Sequence, residues 1–475
     1  MSATRSPAQV RRIAEVIARE LMAEKGAGPP VPAGGGGAFA SLDDAVAAAS
    51  AAFKALEGIS LEKRREIVEA MRGAMRANAR SLAAMAVEET GLGRVEDKVK
   101  KNLLVTNRTP GPEELTPAAL SGDHGLVLVE PAPFGVIGAI TPVTNPSSTI
   151  ICNSIGMLSA GNSVVFNPHP SAAKVSRETV RLLDEAIVKA GGPPNAVACM
   201  ADPTIQSAGE LMKHPRIRLL VVTGGGAVVA AAMNSGKRAI CAGPGNPPAL
   251  VDETADVGKA GRDIVFGHSF DNNVICTDEK EVIAVDSIAD ALKGAMREAG
   301  AFELPARDLS RLENVIFEKG AGPRGHAVVN KKFIGKDASV ILRELGITAG
   351  PEVRTILVEV PNEHPLVWTE QMMPVLPLTR VRNVHEAIDL GVAAEGACFH
   401  TASMHSHDLT ALSTMARRCN CSIFVKNGPN LAGLGYGGEG HTSFTIASPT
   451  GEGLTSPRSF SRWRRCTLVD HFRIV

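Results

Sequence analysis

Apolar and polar positions follow two rhythms in this chain. From Val136 onward, short apolar runs rich in valine and isoleucine alternate with longer segments of helical periodicity. Near-continuous apolar strands separated by helices are typical of parallel sheets covered on both faces. The predicted strands are 136–140, 163–166, 196–200 and 217–222, and the predicted helices are about 147–160, 172–190 and 204–213. The pattern therefore predicts an α/β protein with a doubly wound parallel sheet.

The first 37 residues have a different pattern. Apolar residues with spacings of 3, 4 and 4 run from Val10 to Leu21, behind a capping-box sequence at 6–9. Residues 26–37 contain six glycines and three prolines, a composition that is typical of flexible linkers. Either the helix packs on its own domain or it docks in a groove of another protein. The linker favours docking.

Composition excludes several classes of protein. With 44% apolar and 21% charged residues, the chain is not mostly disordered, and 475 residues favour two or more domains. Because 50 Lys and Arg balance 50 Asp and Glu, we expect no nucleic-acid or membrane-surface partner. The run 131–173 contains no charged residue, but its six prolines favour a buried sheet core over a membrane span.

The eight cysteines are scattered and form no C-x-x-C pair. Since no secretory signal precedes them, we expect free thiols in a reducing, cytoplasmic setting. A reactive thiolate needs an accessible, polar or electropositive setting. The polar loop 269–276, which ends with Cys276, is the best such setting among the eight, although most cysteines are inert small hydrophobes. Cys419 and Cys421 lack neighbouring ligands, so we interpret them as structural and expect no metal.

Two further features follow predicted strands. The segment 223–226 (Thr-Gly-Gly-Gly) precedes an alanine-rich helix, where glycines and a helix N-terminus could receive a pyrophosphate. A tight turn is an equally good interpretation, because the G-x-G-x-x-G fingerprint is absent. Asn145 follows the first strand of the sheet, where ligands gather in doubly wound folds. Its amide either caps a turn or donates to a developing oxyanion.

The chain resembles the aldehyde dehydrogenase superfamily in motifs that occur in the family's order. They extend over roughly Ala38 to the C-terminus and are 130–138 (EPAPFGVIG), 141–146 (TPVTNP), 160–165 (AGNSVV), 223–225 (TGG), Cys276 and 370–375 (EQMMPV). Three more motifs resemble the CoA-acylating branch, which includes the propionaldehyde and acetaldehyde dehydrogenases of bacterial microcompartments. These are 89–98 (ETGLGRVEDK), 243–246 (GPGN) and 270–273 (FDNN).

This resemblance implies roles for individual residues. Cys276 matches the nucleophile and Asn145 the amide of the oxyanion hole. The residues implied at the nicotinamide cofactor come from several loops and are Thr141, Pro142, Asn167, His169, Thr223, Gly224, Gly225, Gly226, Gly243 and Glu370. Asn167 and His169 stand where family members carry Lys-Pro, so His169 either takes a related cofactor role or is an exposed loop histidine.

One departure from the hydrolytic members concerns the product. Those members carry Glu-Leu-Gly-Gly-Lys where this chain has Ala-Gly-Pro-Gly-Asn at 242–246, so the glutamate that activates water is missing. General base catalysis contributes ~10²–10⁴-fold, whereas the thiol of CoA attacks a thioester without it. We therefore expect a short aliphatic aldehyde, propionaldehyde favoured, to react with CoA and NAD⁺ and give acyl-CoA and NADH. NADP is an open alternative to NAD.

Rival functions differ in substrate or in class. The alternatives are an acetaldehyde-specific acylating enzyme, a hydrolytic aldehyde dehydrogenase, and a shell-docking protein without catalysis.

The resemblance implies a Rossmann-like cofactor domain, an α/β catalytic domain and a β-arm for assembly into a homodimer or homotetramer. The expected boundaries are 38–120 with 132–246, 247–440, and 121–131 with 441–475, respectively.

The resemblance also gives the N-terminus a destination. Branch members often carry an N-terminal amphipathic helix on a linker that targets them into a protein shell. We therefore expect 1–25 to be a targeting helix, 26–37 its linker, and a microcompartment shell protein its partner.

Overall fold

The computed structural model describes residues 35–474, so the predicted targeting helix and most of its linker lie outside the described residues. The helices of this part are α1 (Leu42–Leu56), α2 (Leu61–Thr90), α3 (Val95–Arg108), α4 (Pro146–Ser159), α5 (Ala173–Lys189), α6 (Ile205–Lys213), α7 (Gly226–Met233), α8 (Val257–Ser269), α9 (Asp286–Glu298), α10 (Leu309–Ile316), α11 (Ala338–Glu344), α12 (Pro365–Trp368), α13 (Val384–Ala394) and α14 (Leu409–Cys419).

The strands form two large sheets, a three-stranded sheet and two small ribbons. They are β1 (Ala38–Phe39), β2 (Ala118–Gly122), β3 (Gly125–Pro133), β4 (Val136–Thr141), β5 (Ser163–Pro168), β6 (Val197–Met200), β7 (Ile217–Thr223), β8 (Ala239–Ala242), β9 (Pro248–Val251), β10 (Glu281–Val285), β11 (Ala301–Glu303), β12 (Phe317–Lys319), β13 (Val328–Val329), β14 (Thr355–Glu359), β15 (Val375–Val381), β16 (Thr401–His405), β17 (Ile423–Lys426), β18 (Ile446–Ala447), β19 (Gly453–Leu454) and β20 (Ser461–Val469).

The first large sheet is parallel and has the order β1-β6-β5-β4-β7-β8. Successive residues of β4 pack on opposite sides of it. Ile137 joins a core with α2, α4 and α5, whereas Val136 and Ile140 join a core with α1, α6 and α7. A strand that is buried on both faces has no polar side, and this explains its unbroken apolar sequence. The predicted doubly wound fold is confirmed, and each strand predicted from Val136 onward is present.

The second large sheet is also parallel, in the order β11-β14-β15-β10-β9-β16-β17. Helices α8 and α9 cover one face, and α11, α13 and α14 cover the other. Strand β10 lies near its centre, and the loop that carries Cys276 enters the sheet through this strand. The loop of Cys276 therefore belongs to the second sheet, whereas the glycine turn after β7 belongs to the first.

The charge-free run 131–173 includes β4, α4 and β5, and every residue of these three elements is buried. The prediction of a buried sheet core is confirmed. Among the helices of residues 35–474, none combines the length and the apolar character that crossing a bilayer requires.

Strands β2, β3 and β20 form an antiparallel sheet that projects from the body. Its strands span 118–133 and 461–469. The first of these ranges extends beyond the expected 121–131 at both ends. Within the expected 441–475, Phe444, Ile446 and Phe460 are buried in the core of the first sheet because they pack beneath α4 and β8. The role of this arm in oligomerisation stays a prediction.

Two helical glycines allow a matched test of how closely α8 packs against α9. A Cβ at Gly261 in α8 would lie 2.7 Å from Cβ of Ala295 and 3.0 Å from the backbone of α9, whereas a Cβ at Gly73 in α2 would meet nothing within 4 Å. We expect Gly261→Ala to lower the free energy of unfolding by about 1–3 kcal/mol through overpacking. Gly73→Ala should raise it by about 0.5–1 kcal/mol. Denaturant unfolding measures both, and an equally tolerated Gly261→Ala would contradict the close approach of α8 to α9.

Candidate active site

A cleft of about 780 Å³ opens at the carboxyl ends of β4, β5 and β7, where ligands bind in doubly wound folds. Its wall includes all but one of the residues that the sequence singled out, namely Thr141, Pro142, Asn145, Asn167, His169, Thr223, Gly224, Gly225, Gly243, Cys276 and Glu370. Gly226 is the exception: it is the first residue of α7 and is exposed beside the cleft. The geometry thus joins residues of both large sheets at one site.

An unusual backbone turn precedes Cys276. Asp271, Asn272 and Asn273 have φ values of 48°, 57° and 64°, and left-handed residues other than glycine cost about 1–3 kcal/mol each. Asn and Asp tolerate this conformation best, which explains the sequence Asp-Asn-Asn. Side-chain hydrogen bonds hold the turn: Nδ2 of Asn272 donates to the Gly335 carbonyl at 3.0 Å, and Nδ2 of Asn273 donates to the His268 carbonyl at 2.9 Å.

The surroundings of Cys276 differ from the sequence expectation. The polar loop before it, expected to be accessible, is fully buried at Phe270–Asn273, because its polar groups bond within the protein. Burial raises the pKa of the Cys276 thiol to about 12, and Glu370 adds to this effect while Lys280 opposes it. The loop is polar as expected but buried at 270–273, and the role of Cys276 as the reactive thiol stays a prediction. Cys276 itself is half-buried and lines the cleft, and its resting thiol is protonated at neutral pH.

Asn145 lies at the junction of β4 and α4. Its Oδ1 accepts a hydrogen bond from Nζ of Lys101 at 2.5 Å, and its Nδ2 donates to Oγ1 of Thr144 at 3.1 Å. Lys101 pairs in turn with Asp271 of the left-handed turn before Cys276. Sequence reasoning missed Lys101 and Asp271, although the motifs at 89–98 and 270–273 lie beside or around them. Both motifs were recognised only as a likeness to the CoA-acylating branch.

The glycine turn after β7 fits close approach by a ligand. Gly225 precedes α7 with nothing within 4 Å of a Cβ built on it, whereas a Cβ at Gly224 would lie 2.8 Å from Cγ1 of Val228. Within the part of the chain that the structure describes, no side chain caps the first N–H groups of α7, and this leaves them available to an anion. Oγ1 of Thr223 bonds with Oγ1 of Thr445 at 2.9 Å. These features suit a pyrophosphate better than a plain turn.

The residues after β5 have divided roles. Asn167 uses its side chain internally, because Oδ1 accepts from Oγ of Ser207 at 2.6 Å and Nδ2 donates to the Thr204 carbonyl at 3.3 Å. His169 is exposed and lines the cleft, and its Nδ1 accepts from the N–H of Ser171 at 3.1 Å. Burial lowers the pKa of His169, so a neutral ring leaves Nε2 free for the cleft. A cofactor contact by His169 stays a prediction.

The segment at which hydrolytic members carry their glutamate passes close to Cys276. A Cβ at Gly245 would lie 3.0 Å from the Cys276 carbonyl and 2.8 Å from the ring of His400, so glycine is required there. Among the described residues that line the cleft, Glu370 carries the only carboxylate. Burial raises the pKa of Glu370, while Lys280 and the N–H of Gly245 act to lower it.

Apolar side chains complete the cleft, and sequence reasoning named none of them as site residues. They are Ile140, Val143, Ile205, Met212, Val228, Val274, Ile275, Met372, Leu434, Phe444 and Ile446. An apolar residue that faces a cleft has the same sequence signal as one that faces the core, so no pattern could have separated them.

Cys419 and Cys421 acquire a neighbour in the fold. Their sulfur atoms lie 3.1 Å apart, and a carboxylate oxygen of Glu395 lies within 4.8 Å of both. This carboxylate already accepts the N–H of His400 at 2.7 Å, so it has a structural partner. The interpretation of the two cysteines as structural stays a prediction.

Cys276, the amide of Asn145 and the glycine turn after β7 line one cleft at the end of a doubly wound sheet, an arrangement that suits the class of dehydrogenases that work through a covalent cysteine adduct. A family model, the aldehyde dehydrogenase family, matches residues 36–310. Over 440 residues, the chain is 52% identical to the acetaldehyde dehydrogenase (acetylating) EutE of Salmonella typhimurium, with 92% of this chain and 94% of that protein covered. The chain belongs to the aldehyde dehydrogenase family, and the predicted relationship is confirmed.

Solved structures agree with this assignment. The propionaldehyde dehydrogenase of Rhodopseudomonas palustris, determined with bound CoA and an acylated cysteine, is 48% identical with a TM-score of 0.89 and covers 92% of this chain and 98% of its own. A propionaldehyde dehydrogenase from the fucose utilisation bacterial microcompartment of Clostridium phytofermentans is 46% identical with a TM-score of 0.89 and covers 92% and 100%. The similarity to these structures therefore covers more than nine tenths of this chain.

The raised pKa of Cys276 predicts how the free enzyme reacts with iodoacetamide. Because the thiolate is the reactive form, alkylation of Cys276 should accelerate about tenfold per pH unit from pH 7 to 9 without a plateau. Mass spectrometry of the peptide that carries Cys276 gives the rate, and the exposed Cys466 of the arm is an internal reference in the same digest. A plateau near pH 8 would show that the thiol ionises far more easily.

Proposed function

We propose that this chain oxidises a short aliphatic aldehyde with NAD⁺ and passes the acyl group to CoA through a thioester on Cys276. One observation carries the proposal: the segment 242–246, which passes close to Cys276, has Ala242 where a hydrolytic enzyme carries its glutamate, and Glu370 is the only carboxylate among the described residues of the cleft. The names of the relatives, which include acetylating enzymes and an enzyme with bound CoA, support it.

The chemistry divides between two protein groups. Cys276, once ionised, attacks the carbonyl carbon, and the oxygen that becomes negative accepts hydrogen bonds from Nδ2 of Asn145 and the N–H of Cys276. Oxidised nicotinamide, when bound, supplies the hydride acceptor that turns the adduct into a thioester. The thiol of CoA then attacks the thioester carbonyl and Cys276 leaves as a thiolate. The sum is aldehyde, CoA and NAD⁺ to acyl-CoA, NADH and a proton.

The substrate should be small and apolar in its chain. Val274, Ile275, Leu434, Phe444 and Ile446 present hydrocarbon to the cleft, and they favour an alkyl group over a charged one. Relatives are named for acetaldehyde and for propionaldehyde. We expect both to react and keep propionaldehyde as the favoured substrate, with an acetaldehyde-specific enzyme as the alternative.

The end of β5 bears on the choice of dinucleotide. NAD-binding doubly wound domains use a carboxylate to bond the ribose 2′-OH. Here the corresponding loop offers Asn167 and His169, which are neutral, so a 2′-phosphate meets no negative charge from them. NAD remains the cofactor we propose, and NADP is accepted as a weaker alternative.

CoA dependence separates this proposal from its rivals. With propionaldehyde and NAD⁺, NADH should accumulate continuously only when CoA is present, and Cys276→Ser should reduce turnover by at least about 10³-fold. Absorbance of NADH and chromatography of the product give the result, repeated with two-, three- and four-carbon aldehydes and with NADP⁺.

The control variant is Cys466→Ser, which removes an exposed thiol of the arm and should keep full turnover. Undiminished formation of the carboxylic acid without CoA would favour a hydrolytic enzyme. Absence of NADH under all conditions would favour a shell-docking protein without catalysis.

We also propose that residues 1–25 target the enzyme to a microcompartment shell protein and that 26–37 are the tether. A related enzyme comes from such a compartment, which supports this location. The tether ends on the body of the enzyme: Gly36 and Gly37, with φ of 63° and 79°, pack against Arg181 and Val180 of α5. The tether therefore joins the body of the enzyme at a fixed point beside α5.

Removal of residues 1–34 should leave turnover with propionaldehyde within about twofold of the full chain, because every described residue of the cleft is kept. The same removal should abolish co-purification with shells. As a matched pair, Ile13→Ser with Ile17→Ser disrupts the apolar stripe, whereas Arg12→Ser with Arg19→Ser alters only the polar face. Entry of the truncated enzyme into shells would contradict the targeting role.

The arm is the proposed site of assembly into a homodimer or homotetramer. Its strands expose Leu120, Trp463, Leu468 and Val469, each at least 45% accessible, on a sheet with few apolar neighbours of its own. Apolar side chains gathered on a projecting sheet favour burial against another protein surface. A second copy of this chain is the partner that the family likeness suggests.

A further inference from the structure

A buried charge cluster lies behind the oxyanion amide. Lys98 and Lys101 lie nearly one turn apart on α3 and both donate to Oδ2 of Asp271, Lys98 at 2.9 Å. The three side chains are at most 3% exposed. Buried charges are costly unless they are paired and hydrogen-bonded, so this cluster has to offset its cost through its contacts.

The cluster carries an excess of positive charge. Asp97, another carboxylate of α3, is already engaged by Lys100 and by Arg354, which precedes β14, each at 3.1 Å. Within residues 35–474, Asp271 is the carboxylate that pairs with both Lys98 and Lys101. Burial works to raise the pKa of Asp271, but Lys101 and Lys98 outweigh it and hold this pKa below its ordinary value. Burial lowers the pKa of Lys98 to about 8, while Asp271 opposes this and Lys101 adds to it.

Lys101 decides which way the amide of Asn145 points. An ammonium group only donates hydrogen bonds, so the atom it meets at 2.5 Å must be Oδ1. A flipped amide would bring two donors together. Nδ2 is therefore left for Thr144 and for the cleft that Asn145 lines. A charged donor on Oδ1 also polarises the amide and makes Nδ2 a stronger donor.

We propose that Lys101 is the positioning residue of the oxyanion hole. It acts through Asn145, whose amide it orients and polarises, and Asp271 keeps it in place. This inference rests on the proposed function, because the oxyanion is that of the aldehyde adduct on Cys276.

Asp271 ties this device to the nucleophile. It belongs to the left-handed turn before Cys276, and its Oδ1 accepts the N–H of Arg94 at 2.7 Å. A Cβ at Gly93 would lie 2.0 Å from the same oxygen, so only glycine fits there. The motifs at 89–98 and 270–273 thus contact each other. Their joint effect is to set the distance between the amide and the thiol.

A double-mutant cycle tests the proposal. The variants are Lys101→Met, Asn145→Ala and the two combined, and the readout is the rate of the first NADH formed from propionaldehyde and NAD⁺ without CoA. Removing one oxyanion-hole donor costs roughly 10²–10³-fold, so we expect a loss of this order for Asn145→Ala and a smaller loss for Lys101→Met. The combined variant should be no slower than Asn145→Ala, because Lys101 acts only through that amide.

Binding measurements exclude a general loss of structure. The Kd for NAD⁺, followed by fluorescence, should stay within about twofold in Lys101→Met, so that the loss falls on the rate. The control is Lys237→Met, which removes an ammonium that bonds two backbone carbonyls outside the cleft wall and should keep the full rate. If Lys101→Met does not fold, Lys101→Gln keeps a donor without charge and enters the same cycle.

The outcomes are distinct. Losses that multiply in the combined variant, or a full rate in Lys101→Met, overturn the positioning role while wild-type NADH formation leaves the proposed function intact. No NADH from the wild type overturns the proposed function and this inference with it.

Discussion

The geometry of the site depends on one buried carboxylate. Asp271 is fully buried, yet it joins α3 of the first sheet to the loop that carries Cys276 of the second. Breaking a buried ion pair costs about 3–5 kcal/mol because a charge is left unpaired, so the two sheets cannot shift here without a large penalty. The amide of Asn145 and the thiol of Cys276 arise from different sheets, and this contact holds them in register.

The same burial sets the electrostatics of the nucleophile. Desolvation raises the pKa of Cys276, and it also raises the pKa of Asp278 and of Glu281 in the following strand. A site that disfavours charge in its resting state also keeps water away from a thioester. Under the proposed function, burial makes the thiol of Cys276 harder to ionise and protects its thioester from water. Ionisation then depends on what enters the cleft.

The sequence predicted the parts of the site that obey local rules. The strands from Val136 onward were predicted because strands buried on both faces are unmistakably apolar, and the turn at 223–226 was predicted because glycine marks a close approach. In the structure these strands lie in the first large sheet, and the turn lies at the carboxyl end of β7, as the sequence predicted. Gly226, the first residue of α7, is the one predicted site residue that does not line the cleft.

The parts that were missed depend on long-range pairing. Lys101 and Asp271 are 170 residues apart, and neither has a local signal that distinguishes it from a solvated surface charge. The loop at 269–275 was expected to be accessible because it is polar, but its side chains bond to Gly335, His268 and the helix α3 region instead. Polarity in a sequence indicates hydrogen bonding, and only the fold decides whether water is the partner.

These features together explain how the acyl group could be steered to a thiol without a second catalytic carboxylate. Gly245 fits against the carbonyl of Cys276 with no room for a side chain, and position 242, where a hydrolytic enzyme carries its glutamate, is alanine. The apolar wall at Val274 and Phe444 offers water no hydrogen bonds. The thiol of CoA is partly ionised near neutral pH and is intrinsically more nucleophilic than water. Under the proposed function, the site selects CoA because it offers water neither a general base nor hydrogen bonds. No group dedicated to activating the thiol of CoA is needed.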